Sequence, residues 1–372
     1  MKKILLLFIT LATIFGFKVY KKYEKNPINI TPYPFQIVEN YKDQIPTVER
    51  SSVIIVGDQM GQSLNPYLPS LIQDISSNLA EVIKVFNWSR KKEGMHRTLS
   101  KIKSLKSLPE IIIYHGGSQE FFEKTFFIKD KEKILTNFKK HSDEKILSLI
   151  MAFPILSKFI YEPVNTIELD NWNKDNDDLE GQDKLSKMEM TYKFFRQQLW
   201  EMANYIKERN STLILLTTPI NLSIPPKKVC KGSTNALLKL ELDKIEKELK
   251  NEKYKIAFQK LEILKKKVLG NTKLLYFSGI STAKLGFPKT AEKILQKSAV
   301  FDCGAWRGNK IFNNIIREAS IEHDLFLIDF DKIVNSQFGK GPLFMGETFP
   351  QTLFYKKVIE EIKHVINQTL EI

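Results

Sequence analysis

A short apolar run that ends in a glycine-aspartate turn constrains this chain more than any other stretch. Val53 to Val56 is uninterrupted by polar residues, and Gly57, Asp58 and Gln59 follow it. A β-branched run of this length, bounded by glycine, predicts a strand buried on both faces of a parallel sheet. Ligands of open parallel sheets bind just beyond the carboxyl ends of the strands. We therefore expect a functional site at Asp58 and Gln59.

Four further apolar runs extend this pattern along the chain. They are Val82–Trp88, Ile111–Tyr114, Thr212–Thr217 and Leu325–Phe330. Segments with a helical spacing of apolar residues lie between them, such as the stretch from Leu64 to Leu79. Strands that alternate with helices predict an α/β fold around a parallel sheet.

Between the fourth and fifth runs the strand signal disappears and only helical periodicity remains, which predicts an α-helical insertion over residues 236–300. Four residues fall at the spacing of the packing positions in tetratricopeptide repeats: Gly279, Ala291, Leu295 and Ser298. The insertion therefore resembles a tetratricopeptide-like helical hairpin. It either covers the site or offers a docking surface to a protein partner.

The first two glycine turns resemble sequence blocks of the SGNH (GDSL) hydrolases. In that family a strand is followed by Gly, Asp and a nucleophilic Ser, and here Gln59 stands at the Ser position. A second block supplies a Gly whose N–H helps hold the oxyanion, and Gly94, with Thr98 four residues on, matches it. The resemblance implies a flavodoxin-like three-layer α/β/α fold with a five-stranded parallel sheet.

The other two blocks depart from the family pattern. In the third block, Gly-x-Asn-Asp, Ser118 stands at the Asn that donates to the oxyanion. In the last block, Asp-x-x-His, Gly346 replaces the Asp and Phe349 replaces the His. A Gln carboxamide is not a useful nucleophile and a phenyl ring accepts no proton. The family mechanism of ester hydrolysis is therefore not available to this chain.

The resemblance runs from about Ser51 to the C-terminus and implies a ligand-binding cleft at the strand ends. The residues expected in it are Asp58, Gln59, Gly94, His96, Ser118 and Arg307. We expect a pseudoenzyme with impaired catalysis that binds a glycan or an acylated envelope ligand, or acts as a scaffold. The alternative is a divergent esterase or O-acyltransferase that uses His115, Ser118 and Glu120. The resemblance implies no metal and no cofactor.

The N-terminus has the layout of an export signal, in which Met1-Lys2-Lys3 precedes an uncharged, mostly apolar run from Ile4 to Phe17. A cleaved signal peptide and a signal anchor both fit residues 1–20, and the lack of a small-x-small cleavage pattern favours the anchor. More lysines follow the run than precede it, which by charge counting places the body in the cytoplasm. We give the export layout more weight and expect a single-pass protein of a bacterial inner membrane with a periplasmic domain.

The proline-containing stretch after the anchor predicts a linker over residues 21–50. The hydrolase-like domain is then expected in two parts, residues 51–235 and residues 301–372, separated by the helical insertion.

Charge and cysteine usage narrow the functional classes further. The formal charge of +14 comes from lysines dispersed over helical segments, which indicates a solvated surface rather than nucleic-acid binding.

Cys230 and Cys303 lie far apart in sequence and predict two separate buried thiols, although pairing in an oxidising compartment stays open. The acidic segment Asp170–Asp183 lacks the ligand order of a calcium loop and predicts a solvated loop.

Overall fold

The computed structural model describes residues 2–24, 26, 28–33, 39–76, 83–167 and 179–370, and the side chains of residues 2–9, 22, 39, 40 and 76 lie outside this description. The chain divides into two compact units. The helical unit comprises Met1–Ile37 and Lys124–Leu169, and the sheet unit comprises Val38–Glu123 and Asp170–Ile372. The boundaries expected for the linker and the hydrolase-like domain stay predictions.

The sheet unit is built on a parallel sheet. Its described strands are β1 Val53–Gly57, β2 Val85–Asn87, β3 Ile111–His115, β4 Thr212–Leu216 and β5 Phe326–Ile328. Their order is β2-β1-β3-β4-β5, and every neighbouring pair is parallel. This confirms the predicted five-stranded flavodoxin-like sheet. The fifth strand is shorter than predicted because Asp329 caps the next helix by accepting a hydrogen bond from the Lys332 backbone N–H.

The described helices lie before, between and after the strands. In chain order they are α1 Lys2–Tyr23, α2 Ile45–Val48, α3 Gln59–Gln62, α4 Leu68–Ser76, α5 Met95–Ser104, α6 Lys131–His141, α7 Glu144–Ala152, α8 Ser157–Ile160, α9 Gly181–Lys207, α10 Ala236–Lys250, α11 Tyr254–Lys265, α12 Thr272–Lys284, α13 Pro288–Val300, α14 Lys310–Glu322, α15 Phe330–Asn335 and α16 Thr352–Thr369. Most of the predicted acidic loop lies outside the described residues, and α9 begins within its last residues.

Two layers of helices cover the sheet. Helices α4, α15 and α16 bury apolar residues against one face, where they meet Ile111 and Ile113 of β3. Helices α5, α9 and α14 lie on the other face, where the ring of Tyr114 contacts Phe195 of α9 at a centroid distance of 6.5 Å. Successive residues of a strand point to opposite faces, so β3 serves both layers. The architecture is a three-layer α/β/α sandwich.

Strands β2 and β3 lie on opposite sides of β1, so the strand order reverses direction at β1. In parallel sheets this reversal leaves a crevice at the carboxyl ends of the two strands that flank it, here β1 and β3. Gly57 ends β1 with φ of +125°. A Cβ atom at Gly57 would overlap the backbone carbonyl of His115 on the neighbouring strand. Only glycine therefore fits at position 57, where the turn after β1 passes close to the end of β3.

The predicted helical insertion is confirmed as α10 to α13. Gly279 of α12 lies so close to Leu295 of α13 that a Cβ atom there would overlap the leucine side chain. The Thr272 hydroxyl donates a 2.8 Å hydrogen bond to the Ser298 carbonyl across the same pair. The small residues identified in the sequence thus hold two helices in close contact.

The expectation of two separate buried thiols is wrong, because Cys230 and Cys303 form a disulfide. Their Cα atoms lie 5.2 Å apart, since the chain enters and leaves the insertion at nearly the same place. Met188 and Ala305 pack around the pair. Sequence separation is a poor guide here because a helical hairpin brings its own ends together.

Among the residues whose side chains are described, no helix combines the length and apolar character needed to cross a bilayer. The first nine residues of the expected anchor lie outside that set, and the anchor over residues 1–20 stays a prediction.

Candidate functional site

A shallow cleft lies beyond the carboxyl ends of β1, β3 and β4, with a cavity volume of about 20 Å³, room for about one water molecule. Its lining is Gln59 after β1, Ser118 and Gln119 after β3, Thr218 to Asn221 after β4, Trp306 to Gly308 before α14, and Glu347 and Thr348 before α16. The structure therefore brings Gln59, Ser118 and Arg307 together at the crevice that the sequence predicts.

Asp58 lies fully buried beneath this lining and joins two turns. One carboxylate oxygen, Oδ1, accepts a 2.8 Å hydrogen bond from the Met60 backbone N–H and so caps α3. The other, Oδ2, accepts from both the backbone N–H and the hydroxyl of Ser118, at 2.8 and 2.7 Å. Burial raises the pKa of Asp58 to about 6, and these donors oppose the rise. Asp58 thus fixes the turn after β3 to the turn after β1.

The Ser118 hydroxyl has a carboxylate partner rather than an imidazole. Only 3% of Ser118 is exposed, and its hydrogen is directed at Asp58. A serine nucleophile needs a neighbouring base that takes its proton at the moment of attack, usually histidine. All five histidines of the chain lie in the described residues, and none lines the cleft.

The helix end that would hold an oxyanion in the family already faces protein carboxylates. Gly94 is the N-cap of α5, and Glu120 accepts the backbone N–H of Met95 at 3.0 and 3.2 Å. A Cβ atom at Gly94 would lie 3.2 Å from Glu120 and would overlap the carboxylate of Glu123. Burial raises the pKa of Glu120 well above its usual range and that of Glu123 to about 7. The helix N-terminus, an anion site by its dipole, is thus engaged internally.

A buried ionic cluster beside these carboxylates was not predicted. Lys101 is fully buried and forms an ion pair with Glu93 at 2.7 Å. Its ammonium lies 4.7 Å from the ring centroid of Tyr41 and 4.8 Å from that of Trp88. The Tyr41 hydroxyl donates to the second oxygen of Glu93 at 3.1 Å. Burial lowers the pKa of Lys101 and the charge of Glu93 opposes the shift.

The sequence did contain a signal for this cluster. Glu93, Arg97 and Lys101 are spaced four residues apart, which is the spacing of one face of a helix; in the structure Arg97 and Lys101 lie on α5 and Glu93 immediately precedes its N-cap. Arg97 extends the cluster through a 2.8 Å ion pair with Glu123. A solvated helix face has the same spacing, and only the packing of α5 decides that these charges lie inside.

His96 lies on α5 but does not line the cleft. Its Nδ1 is 2.6 Å from the side-chain amide nitrogen of Gln198 on α9, so the imidazole lies at a helix–helix contact. Burial lowers the pKa of His96 to about 3. A neutral, hydrogen-bonded imidazole at this position stabilises helix packing.

His115 lies in the core beneath the sheet end rather than in the cleft. It is the last residue of β3 and follows Ile111 and Ile113 on the face that packs against α15, where its ring centroid is 5.7 Å from that of Phe330. Neither ring nitrogen makes a hydrogen bond of normal geometry with the described residues. Burial lowers the pKa of His115 to about 3, against a smaller contribution from the Thr217 backbone.

Arg307 and Trp306 form the most distinctive wall of the cleft. Arg307 Nη1 donates to the Asn221 carbonyl at 2.6 Å, and its Cζ lies 4.8 Å from the Trp306 ring centroid. The Trp306 indole N–H donates to Asp302 at 2.9 Å, which fixes the ring plane. Burial lowers the pKa of Arg307, while Asp302 and Glu347 favour its charge. Lys227 Nζ lies over the same ring, 3.7 Å from its centroid, so two cations contact the Trp306 indole.

The segment at the family's Asp and His positions flanks the cleft without offering either group. Gly346 presents its carbonyl to the Asn221 side chain at 2.8 Å. Phe349 is 38% exposed, and its carbonyl accepts from the Met345 backbone N–H at 2.9 Å. Glu347 and Thr348 between them supply the lining. No set of three or more acidic, histidine or cysteine side chains in the described chain is placed to hold a metal ion.

No protein-family model and no curated protein matches this chain. It is similar in structure to a GDSL-like lipase from Bacteroides thetaiotaomicron, with 8% identity over 89% of this chain and 97% of that one, and a TM-score of 0.39. It is also similar to a lipase/acylhydrolase from Enterococcus faecalis, with 12% identity over 84% of this chain and 95% of that one, and a TM-score of 0.33. Likeness at this level says nothing about activity. The order and direction of the five strands show a flavodoxin-like parallel sheet.

Proposed function

We propose that the chain is a membrane-anchored pseudoenzyme of SGNH hydrolase-like fold that binds a glycan or acylated ligand of the cell envelope without hydrolysing it. The observation that carries this proposal is the hydrogen bond from the Ser118 hydroxyl to Asp58 Oδ2. It occupies the one hydroxyl that the turn after β3 brings to the cleft, while Gln59 stands where the family has its nucleophile.

The chemistry of the cleft supports a glycan-like ligand. Sugars present hydroxyl groups together with apolar ring faces, and they bind to aromatic rings surrounded by hydrogen-bonding side chains. Gln59, Thr348 and Arg307 offer the polar groups. Lys227 Nζ lies 3.7 Å from the centroid of the Trp306 ring, so a sugar would reach the part of the ring that the lysine leaves uncovered. Glu347 adds an acceptor at the rim. Such a cleft orients a polar ligand without supplying a group that attacks it.

The expected compartment fits the disulfide. Disulfides persist in oxidising surroundings such as the bacterial periplasm and are rare in the cytosol. Cys230 and Cys303 therefore support an extracytoplasmic sheet unit, held at the membrane by the segment over residues 1–20. The insertion α10 to α13 would then offer a surface to a protein partner, since Leu237 and Leu240 of α10 are largely exposed.

Two measurements on the full chain test the proposal. Hydrolysis of a p-nitrophenyl acetate-to-butyrate series by wild type is expected to equal that of Ser118→Ala, and a fluorophosphonate probe is expected not to label either. Acetylated and non-acetylated chitooligosaccharides are then titrated while tryptophan fluorescence is followed. Trp306→Phe is the matched variant, because it keeps an aromatic ring but removes the reporter in the cleft. Turnover in wild type that Ser118→Ala abolishes would overturn the proposal.

A second candidate function is that of a divergent esterase or O-acyltransferase. It is favoured by the same Ser118–Asp58 hydrogen bond, if Asp58 acts as a base toward the Ser118 hydroxyl. Asp58 has a pKa of about 6 and lies 2.7 Å from the Ser118 hydroxyl, so its carboxylate is a base within reach of that proton. His115 and Glu120, the partners expected from the sequence, face the core and the start of α5. An esterase would therefore depend on Asp58 and Ser118, and Asp58→Asn would abolish turnover as fully as Ser118→Ala.

A further inference from the structure

The helical unit exposes an apolar segment that the cleft does not use. Residues Ile146–Leu156 include Ser148 as their single polar side chain. Five large apolar residues in and after this segment are largely exposed: Leu149 at 44%, Met151 at 58%, Phe153 at 60%, Ile155 at 57% and Phe159 at 54%. Soluble surfaces scatter such residues singly, and a contiguous group marks an interaction site. We call Leu149–Phe159 the apolar turn.

The apolar turn is an ordered structure whose backbone is paired internally. Helix α7 ends at Ala152, and the Phe153 backbone N–H bonds to the Leu149 carbonyl at 2.9 Å. The Leu156 N–H bonds to the Phe153 carbonyl at 3.0 Å, which closes the turn into α8. Pairing of this kind removes the main cost of placing a turn in an apolar medium.

The apolar turn is continuous with the end of α1. The ring of Phe159 lies 5.7 Å from that of Tyr23, the last residue of α1. The Asn29 backbone N–H donates to the Ser157 hydroxyl at 3.0 Å, which fixes the chain after α1 to the start of α8. Upstream of Tyr23, α1 exposes further apolar side chains: Leu11, Ile14, Phe15 and Phe17. Two apolar surfaces of one unit therefore meet at the Tyr23–Phe159 contact.

The charges around this contact suit an anionic lipid surface. Lys18 and Lys21 are exposed on the last turns of α1, and the Lys21 ammonium lies 5.3 Å from the Phe17 ring centroid. Lys158 lies within the apolar turn, next to Phe159. The acidic residues Asp143 and Glu144 lie at the opposite end of α7, about 13 Å away by the helical rise. Glu24, which follows Tyr23, is exposed as well, and the three lysines outnumber it at this contact. The balance of charge near the exposed apolar side chains is therefore positive, as in interfacial membrane segments.

We propose that the apolar turn inserts into the boundary between headgroups and acyl chains of an anionic bilayer, as a membrane contact additional to the N-terminal segment. The uncharged run Ile146–Leu156, which the apolar turn overlaps, is eleven residues long; it is too short to span the hydrocarbon layer and its length is compatible with an interfacial segment. Insertion to roughly 5 to 10 Å would bury Met151, Phe153 and Ile155 and leave Lys158 among the headgroups. The inference shares only the membrane setting with the proposed function and does not depend on the ligand of the cleft.

A single labelled cysteine tests this contact in the full chain. Both native cysteines are held in the disulfide, so Phe153→Cys provides a unique thiol for an environment-sensitive fluorophore. The matched control is Ile321→Cys on α14 of the sheet unit, where the side chain is 80% exposed. The labelled proteins are reconstituted into phosphatidylethanolamine–phosphatidylglycerol vesicles with and without a lipid-attached quencher. We expect a blue shift and strong lipid quenching at position 153 and neither at position 321.

Each alternative outcome is decisive. Circular dichroism confirms that both variants fold, and flotation shows separately whether the protein is attached to the vesicles. Equal quenching by aqueous iodide at positions 153 and 321 in protein that floats would overturn the inference while leaving the N-terminal anchor standing. A label at position 153 that is shielded from iodide but untouched by the lipid quencher would identify a protein contact and would also overturn it. If the protein does not float with the vesicles, both the membrane contact of the apolar turn and the N-terminal anchor are overturned.

Discussion

The hydroxyl of Ser118 donates a 2.7 Å hydrogen bond to Oδ2 of Asp58, and this contact joins the turns after β3 and β1 across the crevice of the sheet. In a serine hydrolase the hydroxyl at the strand ends is held towards an imidazole. Here the buried carboxylate that caps α3 holds it instead. The crevice keeps the geometry of a ligand site, while its best-placed hydroxyl serves the connection between two turns.

Removal of the hydroxyl should therefore cost stability rather than activity. Ser118→Ala deprives buried Asp58 of one of its donors, and a hydrogen bond to a charged group contributes about 2 kcal/mol. We expect the free energy of unfolding in urea to fall by about that amount. Ser70→Ala is the control, because its exposed hydroxyl bonds to the Tyr67 carbonyl and its loss should change stability by less than about 0.5 kcal/mol. Equal effects of the two variants would contradict the role assigned to the Ser118 hydroxyl.

The raised pKa of Asp58 predicts a pH dependence of definite sign. Its pKa is about 6 in the folded protein and 3.8 ordinarily, so the folded state binds the proton more tightly between these values. The contribution of Asp58 to stability is greatest below pH 4 and is lost as pH rises through about 6, by at most about 3 kcal/mol. Asp58→Asn should remove this slope from the unfolding free energy measured between pH 4 and 7. An unchanged slope would contradict the prediction.

His115 predicts the opposite slope. Its pKa falls from 6.5 to about 3 on folding, so the unfolded chain binds the proton more readily and stability is lost as pH drops below about 6.5. Each pH unit in that window costs up to about 1.4 kcal/mol. His115→Leu fills the same apolar surroundings without titrating and should flatten the acid limb of the stability curve. A His115→Leu curve as steep as that of wild type would show that His115 does not set the slope.

Much of the fold was predictable because periodicity determines which elements can form. The spacing of apolar residues predicts the strands and the helices of the insertion. The glycine at the end of the first apolar run marks the place where β1 ends close to the neighbouring strand. The same alternation already assigned His115 to the core, since it shares a face with Ile111 and Ile113. The expectation that His115 acts in the site rested on the chemistry of imidazole and not on this alternation.

The site was predictable only in part, because its decisive contacts join distant segments. Proximity of Asp58 and Ser118 follows from parallel strand ends, but the direction of the Ser118 hydroxyl depends on side-chain geometry that no sequence pattern shows. The position of His96 against Gln198 depends on how α5 packs on α9. The pairing of Cys230 with Cys303 depends on the return path of the insertion. In each case tertiary contacts decide what local sequence leaves open.

The disulfide should contribute substantially to stability because it closes the loop that contains the whole insertion. A loop of this length corresponds to about 4 kcal/mol in the chain-entropy account. We expect the Cys230→Ala, Cys303→Ala double variant to lose roughly that free energy of unfolding in guanidinium. Wild type under reducing conditions should approach the double variant, and the double variant should not respond to reductant. A loss below about 1 kcal/mol would indicate that contacts of Met188 and Ala305, rather than the covalent link, hold this region together.

The last prediction concerns the family's nucleophile position. Gln59→Ser places a hydroxyl at the cleft after β1, but no imidazole is there to accept its proton and the carboxylate of Asp58 is already engaged by Met60 and Ser118. We expect no fluorophosphonate labelling of this variant above wild type. Adding Gly346→Asp and Phe349→His supplies a base and its orienting carboxylate from the segment that flanks the cleft, and labelling is then expected to appear. Unfolding curves of both variants establish that each is folded. Labelling of Gln59→Ser alone would mean that the cleft already contains a competent base, in which case the protein is a hydrolase that has lost only its nucleophile.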